Sequence, residues 1–131
     1  MGQQQLLLIV LSIIITGIAI VVGINMFGTS AYQANQEAVL QDVVTIASRA
    51  QEWYRKPTVL GGGNRTFTGV TLLTLGLPTT TANGTYAIPT IAAQQITITG
   101  TGVEDGDGNG SPLLVTAIVV PDSIRKPTIV P

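Results

Sequence analysis

The chain has 131 residues, of which 45% are hydrophobic and only 10% charged, and its formal net charge is −1. This charge balance excludes the concentrated basic surface that nucleic-acid-binding proteins use, and the absence of Cys and His excludes thiolate nucleophiles, imidazole bases and the usual zinc sites. Because the sequence offers no nucleophile–base pair, we predict a protein that is not an enzyme and that has no resident cofactor.

The N-terminal quarter is an uncharged apolar segment. Residues 6–27 are almost continuously apolar, and the first charged side chain is Glu37. A run of this length matches the roughly 20 residues that a helix needs to cross a bilayer. The first basic residue is Arg49, and the run is longer than the apolar core of a secretory signal peptide. We therefore predict a retained segment that spans the cytoplasmic membrane.

Small and hydroxyl-bearing residues recur within this segment. Such residues allow two helices to approach closely. Two interpretations follow: a lone anchor that tolerates these residues, or a helix that packs against copies of itself. The residues predicted to take part in such packing are Gln5, Leu8, Ser12, Thr16, Gly17 and Gly23.

The helix is predicted to continue beyond the apolar segment as far as residue 56. Residues 32–54 contain no Gly or Pro, and their apolar positions recur at spacings of three and four. Pro57 is expected to stop the helix. We divide it into a hydrophobic half, 1–28, and an amphipathic half, 29–56. The stripe predicted to complete the core of a following domain is Val39, Val43, Ile46, Ala50 and Trp53.

Residues 57–131 are predicted to form a β-rich globular head. Their Thr-, Val- and Ile-rich runs are short and are separated by Gly-, Asn- and Asp-containing turns. The predicted strands are 66–71, 85–91, 95–99 and 113–120. The predicted fold class is therefore α+β, with a long N-terminal hydrophobic helix packed through its C-terminal half on a small antiparallel sheet.

One loop of the head contains a partial calcium-binding pattern. Residues 105–110 read Asp-Gly-Asp-Gly-Asn-Gly, which matches the first half of a calcium loop, but the twelfth position is Thr116 rather than a bidentate Glu. A Gly- and Asp-rich hairpin loop explains the same residues equally well. Calcium binding by Asp105, Asp107 and Asn109 and a plain hairpin loop are thus alternatives.

Two further surface features occur in the head. Asn64, Asn83 and Asn109 each begin an N-glycosylation sequon in a predicted loop. The tetrapeptide Arg-Lys-Pro-Thr occurs at 55–58 and again at 125–128. Coincidence is the default explanation of a single repeat of this kind. The alternative is that the two copies form basic corners on the head surface that pair with Glu37 or Asp42 of a neighbouring subunit.

The layout of the whole chain resembles the type IV pilin superfamily, which includes pseudopilins and archaeal pilus subunits. The resemblance is carried by the charge-free apolar helix, its unbroken amphipathic continuation through Trp53, and the small Thr/Gly-rich head. It implies a subunit that is stored in the cytoplasmic membrane with its head outside and then extracted by the pilus assembly machinery. The implied product is a homopolymer at the cell surface, an extracellular filament used for adhesion, motility or surface interaction.

The start of the chain differs from the pattern of that family at one position. In the family a Glu at the fifth position neutralises the amino terminus of a neighbour, whereas this chain has Gln5, which accepts a hydrogen bond from an ammonium but supplies no charge. Two alternatives fit the N-terminus: Met1 follows a removed leader, or the subunit is exported without that cleavage.

A second class of function fits the same layout. A single-pass membrane-tethered protein would use the helix only as an anchor and the β head as a binding module for a ligand or partner. Replacing Gly17 or Gly23 with Leu is expected to impair assembly of a filament subunit and to leave such a tether unaffected.

Overall fold

A single long helix dominates the molecule. The computed structural model describes residues 2–131, so Met1, the first residue of the predicted helix, lies outside the described residues. Helix α1 runs without interruption from Gly2 to Arg55, a length of about 80 Å at 1.5 Å per residue. A short 3-10 helix, Thr58–Leu60, follows it.

The head is built on one antiparallel sheet. The strands are β1 (Thr80–Thr81), β2 (Gly84–Ala92), β3 (Gln95–Gly102), β4 (Leu114–Val120), β5 (Ser123–Ile124) and β6 (Thr128–Val130). They form a six-stranded sheet in the order β1-β2-β3-β4-β5, with β6 also paired to β4. Since β3 occupies one edge of β4, β5 and β6 share the other edge, at opposite ends of it. The predicted α+β fold class is confirmed.

The predicted strand at 66–71 is wrong. This segment forms turns, because threonine hydroxyls bind its backbone locally and one glycine reverses the chain. Thr66 Oγ1 accepts a hydrogen bond from the Thr68 N–H at 3.2 Å, and the Val70 N–H donates to Phe67 O at 3.0 Å. Gly69 has a φ of +83°. The segment still closes one side of the core, since Phe67 and Val70 are fully buried.

The core lies between the second half of α1 and one face of the sheet. Burial alternates along β3 and β4, so that Ile96 and Ile98 point inward and the threonines between and after them point outward. This alternation is the one predicted for 95–99. At Gly100 the helix approaches closely, since a Cβ there would lie 2.8 Å from Val39 Cγ1 and 2.9 Å from Val43 Cγ2. Glycine is thus required for this helix–sheet spacing.

The chain caps the C-terminal end of α1 immediately after leaving it. The Gly63 N–H donates to Trp53 O at 2.9 Å, Asn64 N–H to Lys56 O at 2.9 Å and Arg65 N–H to Tyr54 O at 2.7 Å. These donors satisfy carbonyls that the end of a helix otherwise leaves unpaired. The glycine-rich segment 61–63 therefore belongs to a hydrogen-bonded cap that joins the helix to the head.

Candidate functional site

The first half of α1 is a large exposed apolar surface. Every residue from 2 to 30 is exposed, including Leu7 at 68% and Phe27 at 80%. Water-exposed apolar area of this extent is typical of a surface that is covered by lipid or by another protein chain. Within residues 2–131, α1 is the one helix that is long and apolar enough to cross a membrane.

The small residues of this half form a stripe that faces away from the head. Successive residues are rotated by about 100° around the helix axis, and on this basis the stripe residues lie within about 30° of one line along the helix surface. That line is roughly 180° around the axis from the side on which Val39, Val43 and Ala50 enter the core. The stripe residues are Gln5, Ser12, Thr16, Ala19 and Gly23, all of them exposed. The head therefore lies on one side of the helix and leaves the stripe uncovered.

The same line continues through the second half of α1. Ser30, Ala34, Gln41 and Ser48 fall on it by the same helical geometry, and all four are exposed. Glu37 and Glu52 also lie within about 30° of this line and are exposed. A second helix can therefore approach this face closely along the apolar half of α1 without meeting the head, and farther along it meets these longer charged side chains.

The predicted packing residues are not all on this stripe. Leu8 lies about 50° from its centre and Gly17 about 130° from it. The hydroxyls within the stripe are satisfied inside their own helix: Ser12 Oγ donates to Leu8 O at 2.9 Å and Thr16 Oγ1 donates to Ser12 O at 2.7 Å. The stripe thus presents small side chains with their polar atoms already hydrogen-bonded.

The second half of α1 supplies one wall of the core. Val39, Val43, Ile46 and Ala50 are buried. Trp53 is half-buried against the same cluster, and its indole Nε1 has no hydrogen-bond partner among the described residues. Sequence reasoning missed three further buried residues of this face, which are Asn35, Ala47 and Tyr54.

Asn35 is a buried polar residue that joins the helix to the end of the sheet nearest the apolar half of α1. Its side-chain amide donates to Asn83 O at 2.8 Å, and its Oδ1 accepts from the N–H groups of Val103 at 3.0 Å and Glu104 at 3.2 Å. Leaving such buried backbone groups without a partner costs about 1–3 kcal/mol each. Asn35 is four residues before Val39, so the helical spacing signalled it although its polarity did not.

The other end of the helix is fixed to the head by side chains of its last two turns. Gln51 Nε2 donates to Val120 O at 3.1 Å and Arg55 Nη2 to Pro121 O at 3.2 Å. The Tyr54 hydroxyl donates to Gln94 Oε1 at 2.6 Å, and the Tyr54 ring packs on Phe67 with centroids 4.7 Å apart. The helix and the head are therefore attached at two widely separated points.

Asp42 is engaged inside its own subunit. Its Oδ2 accepts a hydrogen bond from the Tyr86 hydroxyl and another from Asn83 Nδ2 at 3.1 Å. Burial of the phenol, reinforced by its bond to the Asp42 carboxylate, raises the pKa of Tyr86 from 10.0 to about 12. Asp42 is consequently occupied in holding β2 against the helix.

Alkaline pH is expected to weaken this contact. Because the pKa of Tyr86 is higher in the folded protein than its ordinary value, the stabilisation is complete below pH 10.0 and is lost as the pH rises to about 12. The loss is about 2 kcal/mol when solvent screening is allowed for. Thermal melts of the wild type and of Tyr86→Phe from pH 9 to 12 test this, and the difference between the two should disappear with rising pH. An unchanged difference would contradict the assigned role of Tyr86.

The candidate calcium residues lie together in the 105–110 loop, beside Tyr32 of the helix. Asp105 accepts hydrogen bonds from the N–H groups of Asp107, Gly108 and Gly110, and these bonds, that of Gly110 foremost, lower the pKa of Asp105. Among residues 2–131, no group of three or more acidic, His or Cys residues is placed to hold a metal ion. Calcium binding at Asp105, Asp107 and Asn109 stays a prediction.

The three sequon asparagines have different surroundings. Asn64 is exposed beside the helix cap. Asn109 is also exposed, with Nδ2 donating to Asp107 Oδ2 at 2.8 Å. Asn83 is half-buried and its Nδ2, the atom to which a glycan would be attached, donates to Asp42. Of the three, Asn64 is the most accessible for modification.

Cavities in the head offer little for a small ligand. A groove of about 550 Å³ at the end distal from the N-terminus is lined by Tyr54, Arg55, Arg65, Gln94, Pro121 and Asp122. It is open and lined mostly by polar and charged groups, whereas small-molecule sites are typically enclosed and largely apolar. The helix surface is therefore the stronger candidate site.

Comparison with known proteins assigns neither a family nor a function to the chain. No protein-family model matches the chain, and neither a curated protein nor a solved structure matches it.

Proposed function

We propose that this protein is the structural subunit of an extracellular, type IV pilus-like filament, in which it polymerises through the hydrophobic half of α1. Before assembly the same helix anchors the subunit in the cytoplasmic membrane. In the filament, contacts between helices replace contacts with lipid. Repetition of one such non-closing contact between identical subunits generates an open helical polymer.

The observation that carries this proposal is the side of the helix on which the head sits. A tether needs only an apolar segment of sufficient length. Here the small-residue stripe lies opposite the head and continues from Gln5 to Ser48 on exposed positions. That placement lets helices pack side by side in a bundle with all heads on its outside, as a filament with a helical core requires.

The membrane-tethered binding module is the competing function, and the distal groove lined by Arg55 and Arg65 is where such a module would present its ligand-binding groups. The two guanidinium groups of this groove favour an anionic partner and outnumber the one carboxylate in the lining, that of Asp122. The groove does not account for the stripe, since an anchor that acts alone has no need of a face for close helix contact.

Electron microscopy of surface material sheared from cells that produce the full chain tests the proposal. We expect helical fibres in which mass spectrometry identifies this chain as the major protein. Cells lacking the gene serve as the control and should yield no such fibres. If the chain stays in the membrane fraction and the sheared material contains no fibres, the tether is the better description.

A further inference from the structure

The charges of this protein are segregated along the helix axis. All six basic residues follow residue 48 in the chain, and in space five of them surround the distal end of the head. We call these five the basic pole: Arg55, Lys56, Arg65, Arg125 and Lys126, all exposed. The cap of α1 places Arg65 there through its bond to Tyr54 O, and the Arg125 N–H donates to Ile118 O on the distal half of β4 at 2.9 Å.

Glu52 and Asp122 lie among the basic residues near the distal end, whereas four of the seven acidic residues lie at the opposite, membrane-proximal end of the head. We call them the acidic pole: Glu37, Glu104, Asp105 and Asp107. Asn35 fixes the position of Glu104 by accepting its N–H at 3.2 Å. The next loop residues lie against Tyr32, since a Cβ on Gly106 would overlap its ring. The acidic pole therefore lies just beyond the end of the apolar half of α1.

Asp42 does not belong to the acidic pole, which corrects one part of the pairing expected from the sequence. Its carboxylate is half-buried and hydrogen-bonded to Tyr86 and Asn83 of the same subunit. Glu37, by contrast, is exposed. It lies on the same side of the helix as Arg55, about five turns and about 27 Å away along the axis.

We propose that the acidic pole of one subunit binds the basic pole of a second copy that is displaced along the helix axis. This inference rests on the proposed function, since it names the contact that sets the stagger of heads in the filament. Two parallel copies at equal height bring like charges level with each other, which is unfavourable. A displacement by roughly the separation of the poles, about 27 Å, brings opposite charges level. Such charges attract each other where neighbouring heads bring them within a Debye length, about 8 Å at physiological salt.

The same arrangement distinguishes the membrane from the filament. In the membrane the apolar segments hold all copies at the same height relative to the bilayer. The acidic pole of each head then lies beside the acidic pole of its neighbour, and basic beside basic, so neighbouring heads repel each other. Once a subunit is raised out of the bilayer, its acidic pole reaches the level of the basic pole of a neighbour that was raised less. The charge pattern thus opposes association within the membrane plane and favours it in the staggered polymer.

Charge reversal in cells that produce the full chain tests the proposal. The acidic-pole variant is Glu37→Lys with Glu104→Lys, and the basic-pole variant is Lys56→Glu with Arg125→Glu. Each should reduce the yield of sheared filaments about tenfold or more at an equal amount of protein in the membrane. The fourfold variant restores the complementarity of the poles and the net charge, and it should return the yield to within a few fold of the wild type.

A matched control separates pole pairing from a general effect of charge. Asp122→Lys with Ser123→Lys raises the net charge by three, against four for the acidic-pole variant, but both positions are exposed beside Arg125 of the basic pole, so the yield should be unchanged. Normal yields from the acidic-pole and basic-pole variants, or failure of the fourfold variant to recover, would overturn the pairing. Absence of filaments from the wild type would instead overturn the proposed function, so the two failures are distinguishable.

Discussion

Replacing Gly23 with Leu should abolish filament formation and leave the protein in the membrane. Gly23 lies on the stripe opposite the head, and nothing within its own subunit lies within 4 Å of the position of a Cβ. The added side chain therefore meets only a neighbouring helix. Overpacking of a close contact costs about 1–3 kcal/mol, which is roughly a 5- to 150-fold loss in association at each interface. The loss recurs in every subunit, so we expect no fibres in sheared material.

The matched control for this prediction is Val22→Leu. This change also adds bulk to the apolar half, but it does so about 100° away from Gly23 around the helix. Both variants keep helix propensity and hydrophobicity high, so membrane levels measured by immunoblot should equal that of the wild type. If Gly23→Leu yields as many fibres as Val22→Leu, close helix contact at the stripe is not what holds the subunits together.

A head without the second half of α1 should not fold. A chain that begins at Thr58 lacks Val39, Val43, Ile46 and Tyr54, all of which are buried against the sheet. Burial of each such side chain contributes about 1.5–3 kcal/mol, so the four together approach the whole stability of a typical domain, about 5–15 kcal/mol. We expect no cooperative thermal transition by circular dichroism and rapid proteolysis.

The comparison for this experiment is a chain that begins at Gln33. It keeps Asn35 and the complete buried stripe while omitting the exposed apolar half, and it should be soluble and melt cooperatively. A cooperative melt of the chain that begins at Thr58 would show that the sheet closes its own core, and the helix would then be an addition to the head.

The fold class was predictable because apolar residues recur with different periods in the helical part and in the strand-forming part of the chain. Apolar spacings of three and four identify the second half of α1, and alternation identifies β3. The turns at 66–71 were mistaken for a strand because their threonines, favourable in strands, also bind the backbone locally. Strands β5 and β6 have two and three residues, too few for alternation to be recognised. Strand β5 pairs with β4 through a tight hairpin, and β6 returns to the other end of the same edge of β4.

The candidate site was predictable only in part. Composition identified the small residues of α1, but the side of the helix they occupy has meaning only once the position of the head is known. The separation of charge was likewise hidden, because Arg65 and Arg125 are distant in the sequence and are brought to the same end of the head only by the helix cap and the β4–β5 hairpin. Asn35 was missed because a polar residue is not expected in a core position. Its three backbone partners come from the head, and they are known only from the structure.

The two-point attachment of the head gives the uninterrupted helix a mechanical role. With Asn35 at one end and Tyr54 with Gln51 at the other, the head cannot swivel about the helix. A rotation or axial shift of the apolar half therefore moves the head with it. If the packing of the apolar half shifts by one residue along the helix, the head turns by about 100° and moves by about 1.5 Å along the axis. In the proposed filament, the surface that the head turns outward is therefore set by how the apolar half of α1, tens of ångströms away, packs against its neighbours.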